Sequence, residues 1–269
     1  MSKRILITGA TDGIGFETAK LLVKNGHEVI IHGRNLIKIA RAVNELTLLS
    51  PTKNVKSVLC DLRDLTAVKT MANQIIKQFL PLDVLINNAG VYFTANTVTR
   101  DNLDVRFMVN SVAPYYLTKQ LLPHLSPDSR VINLSSAAQS PVNFKALLGT
   151  VKLSDGQAYA QSKLALTMWS KFLGEAHVGT GPMIVSVNPR SLLASKMIRQ
   201  AYELMGADLR IGANILTKIA LSDEFADAHG KYFDNDRGRF TLPHTAANDF
   251  YIVNACINTM ESVISRVVK

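Results

Sequence analysis

Lys3-Arg4-Ile5-Leu6-Ile7-Thr8-Gly9-Ala10-Thr11-Asp12-Gly13-Ile14-Gly15 opens the chain and decides its architecture. Lys3 to Thr8 is a short apolar run of the kind a buried strand shows. A glycine-rich turn follows, then a helical pattern from Phe16 to Lys24 that stops at Asn25-Gly26. Strand, glycine-rich turn and helix in this order are the setting of a dinucleotide-binding turn. Glycine lets the backbone turn tightly and lets a pyrophosphate come close. The helix N-terminus adds free N–H groups and the positive end of its dipole. Gly9, Thr11, Asp12, Gly13, Ile14 and Gly15 are therefore the expected phosphate-binding set. Their spacing, G-x-x-x-G-x-G, differs from the G-x-G-x-x-G of the commonest dinucleotide folds.

Outward from this turn the pattern repeats. Further strands are expected at 28–32, 54–60, 82–86, 130–134 and 183–187, with a short seventh at 231–234. Helical patterns separate them: one to about Leu49, 63–79, 101–122, one headed by Tyr159, two within 191–222 broken near Gly206, and a last at 246–263. With no compositional break, six strand–helix repeats predict one domain over 1–269. The expected fold is α/β, a three-layer doubly wound parallel sheet of about seven strands with helices on both faces. Gly9, Arg34, Asp61, Asn87, Ser136 and Pro189 all fall at strand carboxyl ends, the edge where such sheets bind ligands.

The second strand ends in Gly33-Arg34-Asn35 and carries no acid at its tip. An acid there would bind the ribose 2′-hydroxyl of NAD, whereas arginine suits a 2′-phosphate. Glu28 lies six residues earlier, about 20 Å away on an extended strand, too far to substitute. Arg34 with its neighbour Asn35 therefore points to NADP over NAD; the alternative is a solvated loop charge. The third strand ends in Asp61-Leu62, where Asp61 is suited to accept from an adenine amino group or to cap the helix starting near Arg63. Asn87-Asn88-Ala89-Gly90 ends the fourth strand. It reads as a tight turn, or as one whose amides tie neighbouring strands together. Asn110 lies inside a helical stretch and reads as an amide satisfied locally.

Tyr159-Ala160-Gln161-Ser162-Lys163 heads an apolar-periodic run. Residues four apart on a helix share a face, so Tyr159 and Lys163 project side by side. A phenol with an ordinary pKa near ~10 is a poor proton-transfer group at neutral pH. An ammonium ~4 Å away, at an effective dielectric of ~20, favours the phenolate by roughly 4 kcal/mol. The alternative is a Tyr and a Lys on an ordinary amphipathic helix. Residues 137–156, directly before it, read as a long loop of the kind that often forms a substrate lid.

The 269 residues carry a net charge of +9, with 47% hydrophobic and 19% charged residues, an ordinary globular balance. The positive charge fits scattered lysines or an anionic dinucleotide. Without a long basic run or aromatic-interleaved basic segment, nucleic acid is not expected. No apolar run is long enough for a membrane span, and the N-terminus lacks a signal-peptide pattern. Cys60 and Cys256 form no CxxC pair, and the six histidines show no HExxH spacing. No metal site is expected, and a reducing, cytoplasmic setting fits. Asp234-Asn235-Asp236-Arg237-Gly238 starts like a calcium loop, but position 245 is Thr, so it reads as a turn.

In TGATDGIG at 8–15, NNAG at 87–90, Asn110, the strand end at Ser136 and YAQSK at 159–163, the chain resembles the short-chain dehydrogenase/reductase family over roughly 3–260. Ser136 and Tyr159 are 23 positions apart, a spacing similar to its retinol-dehydrogenase-like members. The resemblance implies an oxidoreductase of a carbonyl/alcohol pair. Tyr159 would be its acid/base, and Lys163 would lower the phenol pKa and hold the nicotinamide ribose. Ser136 would bond the substrate oxygen, and Asn110 would support a water relay. The family places its active serine second in such a pair, which implies Ser136 over Ser135; strand alternation lets only one of the two face the site. The resemblance adds Asn88, Ala89, Gly90, Tyr159, Lys163 and Pro189 to the cofactor contacts, places substrate determinants in 137–156 and 190–212, and suggests a homodimer or homotetramer through the Tyr-bearing helix. One departure stands out: Arg190 follows Pro189 where the family usually has Gly. Ser195 stands near the family's Thr in that region. The contrary reading is an NADP-binding sensor or scaffold of the same fold without catalysis.

Overall fold

The computed structural model describes residues 2–191, 193 and 207–268. Eight strands form one sheet in the order β3-β2-β1-β4-β5-β6-β7-β8. They are β1 (Arg4–Ile7), β2 (Glu28–Gly33), β3 (Val55–Leu59), β4 (Val84–Asn87), β5 (Arg130–Leu134), β6 (Met183–Asn188), β7 (Tyr232–Asp234) and β8 (Arg239–Thr241). All neighbours from β3 to β7 pair parallel; β8 pairs antiparallel with β7. The expected doubly wound sheet is present with one strand more than expected. That extra strand closes a hairpin whose turn is Asp234 to Gly238, the stretch read as a turn, with Gly238 at φ +64°.

The central strands are apolar on both sides because both sides are covered. Ile5, Ile7, Val29, Ile31, Val84 and Ile86 enter one core, while Leu6, Ile30 and Leu85 enter the other. The first core is covered by α1 (Gly13–Lys24), α2 (Leu36–Leu49) and a helix at Leu209–Leu221. The second is covered by α3 (Leu65–Gln78), a helix at Ala113–Leu121, the Tyr159 helix (Asp155–Ala176) and the last helix (Phe250–Val267). Cys256, Met260 and Val263 of the last helix share that core with Trp169 of the Tyr159 helix.

Several boundaries differ from expectation. Asp64, not Asp61, caps α3, accepting from the N–H groups of Thr66 and Ala67 at 2.9 and 3.2 Å. The 101–122 stretch begins its helix at Val105, and a π-helical turn at Met108–Val112 surrounds Asn110. The long loop before Tyr159 holds a short helix, Phe144–Leu147. The last helix starts later than expected, after a 3-10 turn at Thr245–Asn248. Most of the expected substrate segment 190–212, Ser195 included, lies outside the described residues.

Candidate active site

The Tyr159 helix begins a full turn earlier than its apolar pattern suggests, because its cap is polar. Ser154 Oγ accepts from the Gln157 N–H at 3.4 Å, and Gln157 Oε1 accepts in return from the Ser154 N–H at 3.3 Å. This reciprocal capping box was written in the sequence as Ser-x-x-Gln. The helix then carries Tyr159 and Lys163 one turn apart.

Lys163 is only 3% exposed. Its Nζ donates to the Leu134 carbonyl at the end of β5 at 2.7 Å and lies 5.8 Å from the centre of the Tyr159 ring. Burial pulls its pKa down to about 8, since an ammonium withdrawn from water favours losing its proton. At neutral pH it remains mostly charged. A buried cation therefore stands beside the phenol ring, as the spacing predicted.

The paired serines point in different directions. Ser135 is buried, its Oγ 2.6 Å from the Thr167 hydroxyl and 3.4 Å from the Lys163 carbonyl, which accepts from it. Ser136 is half-buried. Its Oγ accepts from the Ala138 N–H at 3.1 Å, and its carbonyl accepts from the Tyr232 hydroxyl at 3.0 Å. Ser135 is thus spent on the helix behind it.

Asn110 is fully buried and satisfied by protein. Its Oδ1 accepts from the Val91 N–H at 2.8 Å; its Nδ2 donates to the Val91 carbonyl at 3.0 Å and to Ser162 Oγ at 2.9 Å. Ser162 in turn donates to the Tyr159 carbonyl at 2.7 Å. Both amide hydrogens are used, so the side chain ties the loop after β4 to the Tyr159 helix.

Along the carboxyl edge of the sheet runs a cavity of about 370 Å³. Tyr159, Lys163, Leu134, Ser135 and Pro189 line its inner end; Arg34, Lys38, Asp61 and Leu62 line its outer end. Between them lie Gly9, Thr11, Asp12, Gly13, Ile14 and Asn88, Ala89, Gly90. Ser136, Asn110, Gly15 and Asn35 lie outside this lining. Gly15 is a packing glycine: a Cβ there would come 2.3 Å from Asn88 Nδ2. Asn35 caps α2, accepting from the Lys38 N–H at 3.0 Å. Asp12 caps α1 through the Gly13 N–H at 2.8 Å. Gly9 has φ +65°, and a Cβ would stand 2.8 Å from the Ala89 backbone. Asn88 Nδ2 donates to the Thr8 and Gly9 carbonyls at 2.8 and 3.0 Å, so the amide ties two strand ends together.

Sequence reasoning passed over two residues here. Lys38, in the first turn of α2, adds a second exposed cation to the end marked by Arg34. His32 is one of the six histidines that carried no motif. It is buried, its Nδ1 accepts from the Gly9 N–H at 3.1 Å, and its Nε2 therefore carries the hydrogen donated to the Cys60 carbonyl at 2.9 Å. Burial lowers its pKa to about 4, so it stays neutral and brackets three strand ends. Asp61 is held by Arg63, whose Nε lies 3.1 and 3.0 Å from its two oxygens. Burial pushes that carboxyl up, but the bonds and charge of Arg63 leave it below its usual range.

Arg190 does not line the cavity. It keeps a backbone suited to glycine, φ +120°, and its charge acts on Asp236 of the β7–β8 turn. That turn also holds the chain beside it: Asp236 Oδ2 accepts from Asn188 Nδ2 at 2.8 Å and from Ser191 Oγ at 2.6 Å.

Set against known proteins, residues 3–203 match the short chain dehydrogenase family, and the chain belongs to it. Retinol dehydrogenase 13 of Homo sapiens is 31% identical over 260 residues, which cover 90% of this chain and 78% of that protein. Retinol dehydrogenase 12 of Bos taurus is 31% identical over 261 residues, covering 91% and 82%. The crystal structure of an uncharacterized protein from Mycobacterium paratuberculosis superposes with a TM-score of 0.79 at 25% identity, over 98% of this chain and 93% of that one. The chain is thus a retinol-dehydrogenase-like oxidoreductase of a family that interconverts alcohols and carbonyls with NAD(P). Among the described residues no helix is long and apolar enough to cross a membrane.

Proposed function

We propose that this enzyme reduces an apolar carbonyl, or oxidises the matching alcohol, with NADP as hydride carrier and Tyr159 as general acid/base. One observation carries the reading: a buried Lys163 ammonium 5.8 Å from the Tyr159 ring centre, at the inner end of a cavity that starts in a glycine-rich turn. Hydride transfer is the chemistry of the nicotinamide; the protein supplies placement and charge. Gly9, Thr11, Asp12, Gly13, Ile14, Asn88, Ala89, Gly90 and Pro189 would hold the cofactor along the cavity. The Gly9 N–H is already donated to His32 and the Gly13 N–H to Asp12, so phosphate binding falls to the other amides of the turn. Lys163 would keep the phenolate form of Tyr159 accessible, and Ser136, its hydroxyl turned away from Ser135's partners, would donate to the substrate oxygen. Asn110 fixes the helix that carries Tyr159.

NADP is favoured over NAD by Arg34 and Lys38 at the outer end and by Asp61 being engaged with Arg63. A cytoplasmic, reducing setting fits two buried free cysteines. A homo-oligomer through the Tyr159 helix is the less supported part, because the last helix of the same chain packs against it. The sensor alternative has Arg190 in its favour; that residue's place outside the cavity lining weakens it.

The test is a screen of carbonyls with NADPH fluorescence, run on wild type and Tyr159→Phe. Wild type should turn over at least one apolar carbonyl. The variant should bind NADPH normally and retain no more than about 1% of the rate, within the ~10²–10⁴-fold range of general acid catalysis. Retention of more than roughly a tenth would overturn the role of Tyr159.

A further inference from the structure

The turn from Asp234 to Gly238 carries the Asp-Asn-Asp run of a calcium loop, and the chemistry above leaves it unused. Among the described residues no group of three or more His, Cys, Asp or Glu could hold a metal ion. The carboxylates of the turn go to protein donors instead. Asp234 ends β7 directly opposite Asn188, the last residue of β6. The buried Asn188 spends both amide hydrogens on the turn, one on Asp234 Oδ1 at 2.9 Å and one on Asp236 Oδ2 at 2.8 Å. The pairing then runs on past the strand ends. The Asn235 N–H donates to the Asn188 carbonyl at 3.1 Å, and Asn235 Nδ2 donates to the Pro189 carbonyl at 2.9 Å. The Ser191 N–H lies 3.1 and 3.2 Å from the two oxygens of Asp236, and Ser191 Oγ donates to Oδ2 at 2.6 Å. Two residues before Arg190 and one after it are therefore tied to a single turn.

The strained residue sits between these ties. Arg190 has φ +120°, a backbone that glycine adopts freely and other residues resist. Such a conformation persists only where the surroundings over-determine it. Here the carbonyl before Arg190 and the N–H after it are both fixed, and its charge is drawn to Asp236. The same bend sets Pro189, which lines the inner end of the cavity with Tyr159 and Lys163. Asp236 itself is exposed, so its bonds order the segment locally and add little to the core. Holding a segment in its bound shape raises affinity, because the cost of ordering it is no longer charged to binding.

We propose that the Asp234-Asn235-Asp236 turn is a clasp that holds Pro189 and Arg190 in the shape that receives the nicotinamide end of the cofactor. Asp236 is its positioning residue. The clasp does for an arginine what a glycine would do unaided. The proposal rests on the reading that lays NADP along the cavity with its nicotinamide at the inner end.

The experiment measures, by calorimetry on the full-length protein, the binding of NADPH and of 2′-phospho-ADP-ribose, which lacks only the nicotinamide. Wild type should bind both, NADPH the more tightly. Asp236→Ala should weaken NADPH about tenfold and leave 2′-phospho-ADP-ribose unchanged. Its melting temperature should stay within about 2 °C of wild type, as for an ordinary surface change. Adding Arg190→Gly to that variant should bring NADPH affinity back to within about threefold of wild type, since glycine takes φ +120° without the clasp. Equal weakening of the two ligands, or a larger fall in melting temperature, would make Asp236 a structural support and overturn the clasp. NADPH binding that is unchanged in Asp236→Ala, or not recovered in the double variant, overturns it too, while the reading of the cofactor stands. Wild type binding the two ligands equally, or neither of them, removes that reading and the clasp together.

Discussion

The two ends of the cavity are built from opposite materials. At the inner end the cation is Lys163, 3% exposed, held by a carbonyl, its pKa drawn down to about 8. At the outer end the cations are Arg34 and Lys38, both exposed. Burial makes a charge strong and tunable, because the surroundings screen it little. Exposure makes a charge weak but cheap to exchange, because water and salt screen it. Chemistry belongs at the first kind of position and cofactor preference at the second.

The sharpest way to break this contrast is at Lys163. Replacing it with methionine should lower kcat at least ~100-fold, because the phenolate loses its cation. The same change should stabilise the cofactor-free protein. The folded pKa of about 8 lies below the ordinary lysine value of 10.5, so the unfolded chain holds more protons between these values and stability rises with pH across that window. Below it the buried ammonium costs the fold a few kcal/mol, and Lys163→Met should recover about 1–3 kcal/mol of that in urea unfolding at pH 7. Loss of both activity and stability would mean that Lys163 is a structural support.

A milder change is expected at the outer end. Arg34→Asp should weaken NADPH binding about tenfold and favour NADH, with no change in melting temperature. Wild-type affinity for NADPH should fall with added salt more than that for NADH, since the extra phosphate meets exposed charges. Equal salt responses would remove the outer end from cofactor choice.

The smallest effect is expected beside the inner end. Arg190 holds φ +120°, a left-handed backbone that costs a side chain about 1–3 kcal/mol. Arg190→Gly should therefore raise the melting temperature by about 2–4 °C, checked by calorimetry. A lower melting temperature would show that the charge attraction to Asp236 outweighs the strain.

How legible this was differs along the chain. The parallel strands could be read because burial on both sides makes them continuous apolar runs. β8 could not: Arg239-Phe240-Thr241 is short, exposed and joined by a hairpin. Tyr159 and Lys163 were legible because a helix turns four residues into one face, and the spacing survives folding unchanged. Gly15 and Asn35 sit in the right stretches, yet Gly15 packs against Asn88 and Asn35 caps α2 from an exposed position; only the path of the backbone decides that. His32 escaped notice because its role depends on a partner far away in sequence, Cys60. Asp61 was open to two roles, and the cap fell to Asp64, whose Oδ1 meets two N–H groups of the first turn.

The account turns on a protonated Lys163 next to Tyr159, and the pH dependence of kcat/KM for NADPH in carbonyl reduction tests it most directly. This ratio reports the essential groups of the free enzyme. It should fall as pH rises through about 8, where Lys163 loses its proton. A profile flat from roughly pH 6 to 10, spanning the ordinary range of both side chains, would contradict it.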